Sequence, residues 1–119
     1  MASEIFLTDG VIRVAAAGAV QLIQQSVDVG KFDQLDIMLL LIGFEGGTPA
    51  GFAPTIIGGM QRETPDGWPT LGTFPALTAA NTVSVLNVPR LFRYVRWNVP
   101  VFTGATAISF QIRGMARLN

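Results

Sequence analysis

The feature that most constrains the fold is the strict alternation of side chains along residues 90–101, which read R-L-F-R-Y-V-R-W-N-V-P-V. Val95, Trp97 and Val99 fall on one side of the chain, and the residues between them fall on the other. Alternation with a period of two, in a stretch rich in β-branched and aromatic residues, indicates a β-strand. Residues 108–118 alternate in the same way. We therefore predict a hairpin of two long strands, with Trp97 in the core.

The rest of the chain consists of short apolar segments separated by turn signals, at spacings of about 8–12 residues. The longest apolar run, at residues 37–44, lies within a predicted strand at 34–44 and indicates burial on both faces. The pattern at residues 15–25 fits either a short helix or a strand, and we favour a strand from 19 to 27. The remaining predicted strands cover residues 4–7, 11–16, 54–61, 68–77 and 81–88, with the first two paired to each other.

These segments predict an all-β fold with one domain over residues 1–119. The number of strands favours an antiparallel β-sandwich of jelly-roll type with about eight strands. The longest apolar run is far shorter than the roughly 20 residues of a membrane-spanning helix, so we expect no membrane partner. Glu4, Asp9 and Arg13 precede the apolar residues 14–23. This order of charges argues against an export signal, which begins with a basic segment.

The composition excludes several classes of catalytic site. The sequence contains no cysteine and no histidine. Serine–histidine and cysteine–histidine catalysis and zinc sites built on those two residues are therefore impossible. We expect no enzymatic activity and no cofactor. Charged residues make up 13% of the chain, about half of the roughly 25% usual in soluble domains. Such a low share fits either a large core or a surface that a partner covers.

The charges are unevenly distributed along the chain. Residues 1–67 contain all eight acidic residues and three basic ones, whereas residues 68–119 contain five arginines and no acid. The two halves therefore pair within the fold, or the arginine-bearing strands dock on an acidic patch of a neighbouring subunit. Five arginines in a neutral domain are a weak signal for nucleic-acid binding, which we do not expect. The predicted interface residues are Arg93, Arg96, Arg113, Arg117 and Tyr94.

Two weaker hypotheses concern ligands. A carbohydrate-binding module would use an exposed aromatic ring, for which Trp68, beside a predicted turn, is the better candidate and Tyr94 the other. A calcium site would use the carboxylates of Asp28, Asp33 and Asp36. Their spacing does not match a calcium-binding loop, and a solvated turn in which an aspartate caps backbone amides explains them better. We therefore predict no metal site.

Three stretches together resemble a known family. They are R-Y-V-R-W-N-V at 93–99, I-S-F-Q-I-R-G-M-A-R-L at 108–118 and V-D-V-G-K-F-D-Q-L-D-I at 27–37. This layout is similar to that of small jelly-roll structural proteins of tailed-phage virions, of the head decoration or minor capsid type. The resemblance implies a symmetric homo-oligomer, with a trimer favoured, bound to a phage capsid or another virion protein. It also implies a location in the virion, after assembly in the host cytoplasm.

Overall fold

The computed structural model describes residues 2–50, 52–63, 67–89 and 91–118. Within these ranges the chain forms ten β-strands and one 3-10 turn at Ile23–Gln25. No helix in the described ranges has the length and hydropathy needed to cross a membrane. The strands are β1 (Ala2–Phe6), β2 (Ile12–Ala15), β3 (Ala19–Val20), β4 (Val27–Asp28), β5 (Gln34–Glu45), β6 (Thr55–Gly59), β7 (Thr70–Thr73), β8 (Thr82–Val88), β9 (Tyr94–Val99) and β10 (Ala107–Arg117).

The strands form two antiparallel sheets with jelly-roll topology. Sheet A contains β1, β2, β10, β5 and β8, and sheet B contains β3, β4, β9, β6 and β7. β1 and β2 pair one after the other with β10, and β3 and β4 pair in the same way with β9. If each of these broken strands is counted once, eight strand positions remain, in the order 1-8-3-6 and 2-7-4-5. This is the order of a jelly roll, and it confirms the predicted sandwich.

The core lies between the two sheets and is built from the inward face of each strand. On β5 every second residue from Leu35 to Leu41 is buried, as the period-two pattern requires. Trp97 of sheet B packs edge-on against Phe110 of sheet A, with ring centroids 5.4 Å apart. Full burial of side chains of this size contributes about 1.5–3 kcal/mol each to the free energy of unfolding. The predicted core position of Trp97 is confirmed.

The predicted C-terminal hairpin is wrong. β9 belongs to sheet B and β10 to sheet A, so the two strands do not pair side by side. Both strands have a strongly apolar face, and these faces meet across the core, as the Trp97–Phe110 contact demonstrates. The connection at residues 100–106 begins with Pro100, which has no backbone N–H to donate to a hairpin ladder. It carries the chain from one sheet to the other.

The predicted pairing of residues 4–7 with residues 11–16 is also wrong. β1 and β2 pair with the same side of β10, one after the other. Between them the chain leaves the sheet for a few residues, and Thr8 contacts β10 there. The Thr8 hydroxyl accepts a hydrogen bond from the Ile112 amide, and the Thr8 amide donates to the Ile112 carbonyl. The Thr8 hydroxyl therefore accepts the β10 hydrogen bond that a backbone carbonyl would accept in an unbroken strand.

The ambiguous segment after β2 combines both alternatives. The short strands β3 and β4 flank the 3-10 turn, so neither a continuous strand nor a helix forms. The chain passes from sheet A to sheet B at Gly18, which has a φ of +84°. A Cβ atom at this position would clash with the Val99 carbonyl oxygen, so the close approach to β9 requires glycine.

Candidate functional site

The side of sheet A that faces away from the core carries a group of apolar side chains bordered by polar ones. The strand register aligns Phe6 of β1, Arg113 of β10, Met38 of β5 and Val85 of β8 in one row across the sheet. A neighbouring row aligns Gln111 with Leu40 and Val83. The next row on the other side aligns Met115 with the polar residues Glu4, Asp36 and Asn87. We call this surface the outer face and define it by Phe6, Met38, Leu40, Val83, Val85, Gln111, Arg113 and Met115.

The apolar side chains of the outer face are accessible. Val85 is 66% exposed, Phe6 56%, Val83 48% and Met115 37%, and Met38 is half-buried. A shallow depression of about 330 Å³ lies between β1, β10, β5 and β8 on this side. Its lining includes Glu4, Asp36, Met38, Val85, Arg113 and Met115.

The prediction that residues 37–44 are buried on both faces is therefore wrong. The inward residues of β5 lie in the core, whereas Met38, Leu40 and Ile42 are only half-buried. No described segment packs over this side of sheet A. The sequence pattern did not reveal the outer face, because a strand that is apolar on both sides looks the same whether a partner covers one side or the rest of the chain does.

Charged groups on the outer face lie toward one end of the strands. The guanidinium of Arg117 contacts the Asp36 carboxylate at 2.7 Å, and the Asn87 amide donates to the same carboxylate. Arg113 lies between Phe6 and Met38 in the apolar row. Within the described ranges no carboxylate forms an ion pair with Arg113, and its side chain is exposed.

The five residues predicted as an interface do not form one surface. Arg113 and Arg117 lie on β10 at the outer face, whereas Tyr94 and Arg96 lie on β9 in the opposite sheet and Arg93 directly precedes it. The two groups are separated by the core, because β9 and β10 belong to different sheets. Of the two interpretations of the charge asymmetry, pairing within the fold is observed for two arginines, and docking on a neighbouring subunit stays a prediction. Arg93 pairs with Asp28 and Arg117 with Asp36 within the fold, and Arg113 remains accessible.

Arg96 is packed into sheet B. It is 5% exposed, its Nη1 donates to the Gln21 carbonyl at 3.2 Å, and its guanidinium lies 4.2 Å from the centre of the Trp68 ring. The Trp68 ring also covers Gly59, where any Cβ atom would overlap the indole. A cation–π contact with a desolvated arginine contributes about 2 kcal/mol. The indole of Trp68 is therefore engaged in the fold, and its use as a sugar platform stays a prediction.

Tyr94 lies beneath two other arginines. The guanidinium carbons of Arg62 and Arg93 are 4.5 Å and 5.1 Å from the centre of its ring. Arg62 is held in place by hydrogen bonds to the hydroxyl and carbonyl of Ser26. A sugar that stacks on this ring would compete with these guanidinium groups.

Asp28 has the role of a turn residue. Its Oδ1 accepts a hydrogen bond from the Gly30 amide at 2.9 Å. This hydrogen bond, followed by the charge of Arg93, holds the pKa of the Asp28 carboxyl below its ordinary value. Asp36 is engaged by Arg117 on the outer face. Among the described residues, no three metal-ligating side chains come close enough together to hold an ion.

Comparisons with models of known protein families, with curated proteins and with solved structures find no match to this chain. The candidate site is therefore described by its geometry alone: accessible apolar side chains on the outer face, with Arg113 exposed among them.

Proposed function

We propose that this protein is a non-enzymatic structural protein of a tailed-phage virion, which self-associates and docks on a capsid or tail surface. The observation that carries the proposal is the outer face, on which apolar side chains of β1, β5, β8 and β10 are exposed together. Monomeric soluble proteins rarely expose contiguous apolar patches larger than a few hundred Å², and larger ones mark interaction sites.

The chemistry of the outer face fits protein association. Burial of apolar surface contributes roughly 25 cal/mol per Å² before the costs of association are subtracted. A stable interface buries about 800 Å² on each partner, an area that a sheet face several strands wide can supply. Arg113, in the middle of the apolar row, would fix the register against an acidic group, since charges in an interface contribute orientation and specificity.

The virion part of the proposal has two supports. The first is the resemblance of residues 27–37, 93–99 and 108–118 to small virion proteins. The second is the jelly-roll topology, which is frequent among viral capsid and lectin domains. A fold alone does not determine a function. The outer face favours the capsid-type function over the lectin-type one, because it is rich in aliphatic residues.

The test is the mass of the purified protein in solution, measured by light scattering during size-exclusion chromatography over a range of concentrations. We expect a closed oligomer that dissociates on dilution. The variant Phe6→Glu places a charge on the outer face and should shift the equilibrium toward smaller species. The control is Leu22→Glu, because Leu22 is similarly exposed, at 62% against 56% for Phe6, and lies outside the outer face.

The docking part is tested by co-sedimentation with purified tailed-phage heads. Binding of the wild-type protein, weakened by Phe6→Glu and not by Leu22→Glu, is the expected result. A protein that is monomeric at every concentration and binds no particle would contradict the proposal. Equal effects of the two substitutions would show that association does not use the outer face.

A further inference from the structure

The two sheets of the sandwich have four edges, and three of these are protected against pairing with another strand. An exposed edge presents unpaired N–H and C=O groups, which proteins commonly shield by charges, prolines, breaks or short strands. The edge of sheet A formed by β1 and β2 is broken at Thr8 and contains Glu4 and Arg13. The edge of sheet B formed by β3 and β4 consists of two-residue strands separated by the 3-10 turn.

The second edge of sheet B is protected as well. β7 has only four residues, and its register with β6 shifts between Ile56 and Ile57. Pro69 directly precedes the strand, and Pro75 follows shortly after it. A short strand with a bulge and flanking prolines is a poor template for a further strand.

The second edge of sheet A, β8, has none of these features. It is a regular strand of seven residues, T-V-S-V-L-N-V, without charge, glycine or proline. In the part of the chain that the structure describes, its only strand partner is β5, with an unbroken register. Among the described residues, no backbone hydrogen bond reaches β8 from the side away from β5. Val83 and Val85 on this strand belong to the outer face and are 48% and 66% exposed.

We propose that β8 pairs with β8 of a second copy of this chain, so that two copies of sheet A form one continuous sheet. The inference rests on the proposed self-association and adds a second contact, at the β8 edge, to that of the outer face. The sequence of β8 suits pairing with a second copy of itself. The strand contains no charged residue, so two identical strands meet without repulsion of like charges. Pairing also joins the two outer faces into one apolar surface of twice the width.

The register of this pairing follows from symmetry. Two identical edges that face each other across a two-fold axis pair antiparallel. Asn81, with a φ of +60°, precedes the strand and Pro89 follows it, so full overlap of the seven residues centres on Val85. Val85 then lies opposite its own copy, and Val83 lies opposite Asn87 of the second copy. A shift of this register by one residue would place the outer face of one copy on the same side as the core face of the other.

The contact closes at two copies. Because each chain offers a single β8 edge, the pairing produces a dimer and not the trimer that the resemblance implies. Dimers that dock further through their outer faces produce assemblies with an even number of chains.

Cysteine cross-linking tests the register, because the natural sequence contains no cysteine. Directly opposed residues of antiparallel strands have Cα atoms about 4.5–5.5 Å apart, which a disulfide can span. Under mild oxidation, we expect Val85→Cys to form a covalent dimer in high yield. The control Val101→Cys, exposed by 70% and outside sheet A, should not. Val83→Cys and Asn87→Cys should cross-link efficiently only when the two variants are mixed.

Each outcome is decisive. An even-numbered oligomer with the Val85 cross-link and the mixed cross-link supports the β8 contact. An oligomer that forms without a preferred cross-link at Val85, or one with three chains, overturns the β8 contact and leaves the proposed self-association intact. A monomer at every concentration overturns both. Circular dichroism of each variant verifies that the strand still folds, and the exposed position of Val85 makes the substitution tolerable.

Discussion

Gln21 connects the two sheets at the edge where both are broken. Its side-chain amide donates to the carbonyl oxygens of Leu7 at 2.9 Å and Gln25 at 2.8 Å, and its Oε1 accepts from the Trp97 amide at 3.1 Å. The Gln21 backbone amide donates to the Trp97 carbonyl. The side chain is 5% exposed, so these groups have little access to water. One residue thus supplies hydrogen bonds that the interrupted strands leave unmade.

Replacement of Gln21 by leucine should lower the free energy of unfolding by about 2–5 kcal/mol, because buried backbone groups lose their partners at roughly 1–3 kcal/mol each. Urea denaturation measures this loss. The matched control is Gln24→Leu, an exposed neighbour, for which we expect a change within about 0.5 kcal/mol. Similar small effects of both substitutions would mean that the Gln21 network does not stabilise the fold.

The lowered pKa of Asp28 predicts that the fold loses a small part of its stability in acid. Its pKa is lowered in the folded state from 3.8, mainly by the Gly30 amide. A lowered pKa stabilises the fold above the unfolded value, and this contribution is lost as the pH falls through the folded value. The effect is small, because the side chains of Arg93 and Asp28 are 58% and 49% exposed. Asp28→Asn should therefore flatten the loss of stability as the pH falls below 3.8.

The measurement is the urea midpoint at successive pH values, with Asp9→Asn as the control. Asp9 is exposed and forms no ion pair with the described residues. The control should follow the wild-type curve in acid. A pH dependence of Asp28→Asn that equals that of the wild-type protein would show that the Gly30 hydrogen bond does not contribute to stability in acid.

Side-chain alternation predicted the residues of the core better than the partners of polar residues. The period-two pattern placed Val95, Trp97 and Val99 inside correctly, because burial of alternate residues depends only on local sequence. The role of Gln21 depends on Trp97 and Leu7, which are distant in the sequence, and no local pattern reports such contacts. Arg96 was likewise assigned to an interface, and its burial against Trp68 depends on a loop from another part of the chain.

At the scale of elements, the strands were easier to predict than their pairing. β5 and β8 were predicted within one residue at either end, since turn residues bound their apolar runs. The hairpin of β9 with β10 failed because a period-two pattern defines the faces of a strand and leaves open which sheet it joins. Two apolar faces that look suited to adjacent strands also fit opposite each other across a core.

The crossing between sheets at Gly18 provides a test of this arrangement. Gly18 and Gly10 both have a positive φ, +84° and +81°, but only Gly18 approaches another strand closely. Alanine at Gly10, which lies in open space, should cost about 1–2 kcal/mol for the left-handed backbone alone. Gly18→Ala should cost clearly more, because the Val99 carbonyl must move. Equal costs in thermal or urea denaturation would argue against the close approach of the crossing to β9.

At the scale of the whole molecule, the proposed association would be linked to stability. The outer face combines exposed valines, a methionine and Phe6 with the β8 edge, and the proposed assembly would bury this surface, which the folded chain leaves in water. A partner that binds only the folded state stabilises it by mass action, and the stabilisation increases with concentration. A protein that works through this surface therefore has a melting temperature that depends on its own concentration.

We expect the melting temperature of the wild-type protein to rise by about a few degrees for each tenfold increase in concentration, since a tenfold change corresponds to roughly 1.4 kcal/mol. Phe6→Glu should reduce this dependence, whereas Leu22→Glu should preserve it. Differential scanning fluorimetry and calorimetry together cover the concentration range. A melting temperature that stays constant while light scattering reports an oligomer would show that association does not select the folded state. The contact would then involve surfaces other than the folded outer face and β8, because these exist only when sheet A is formed.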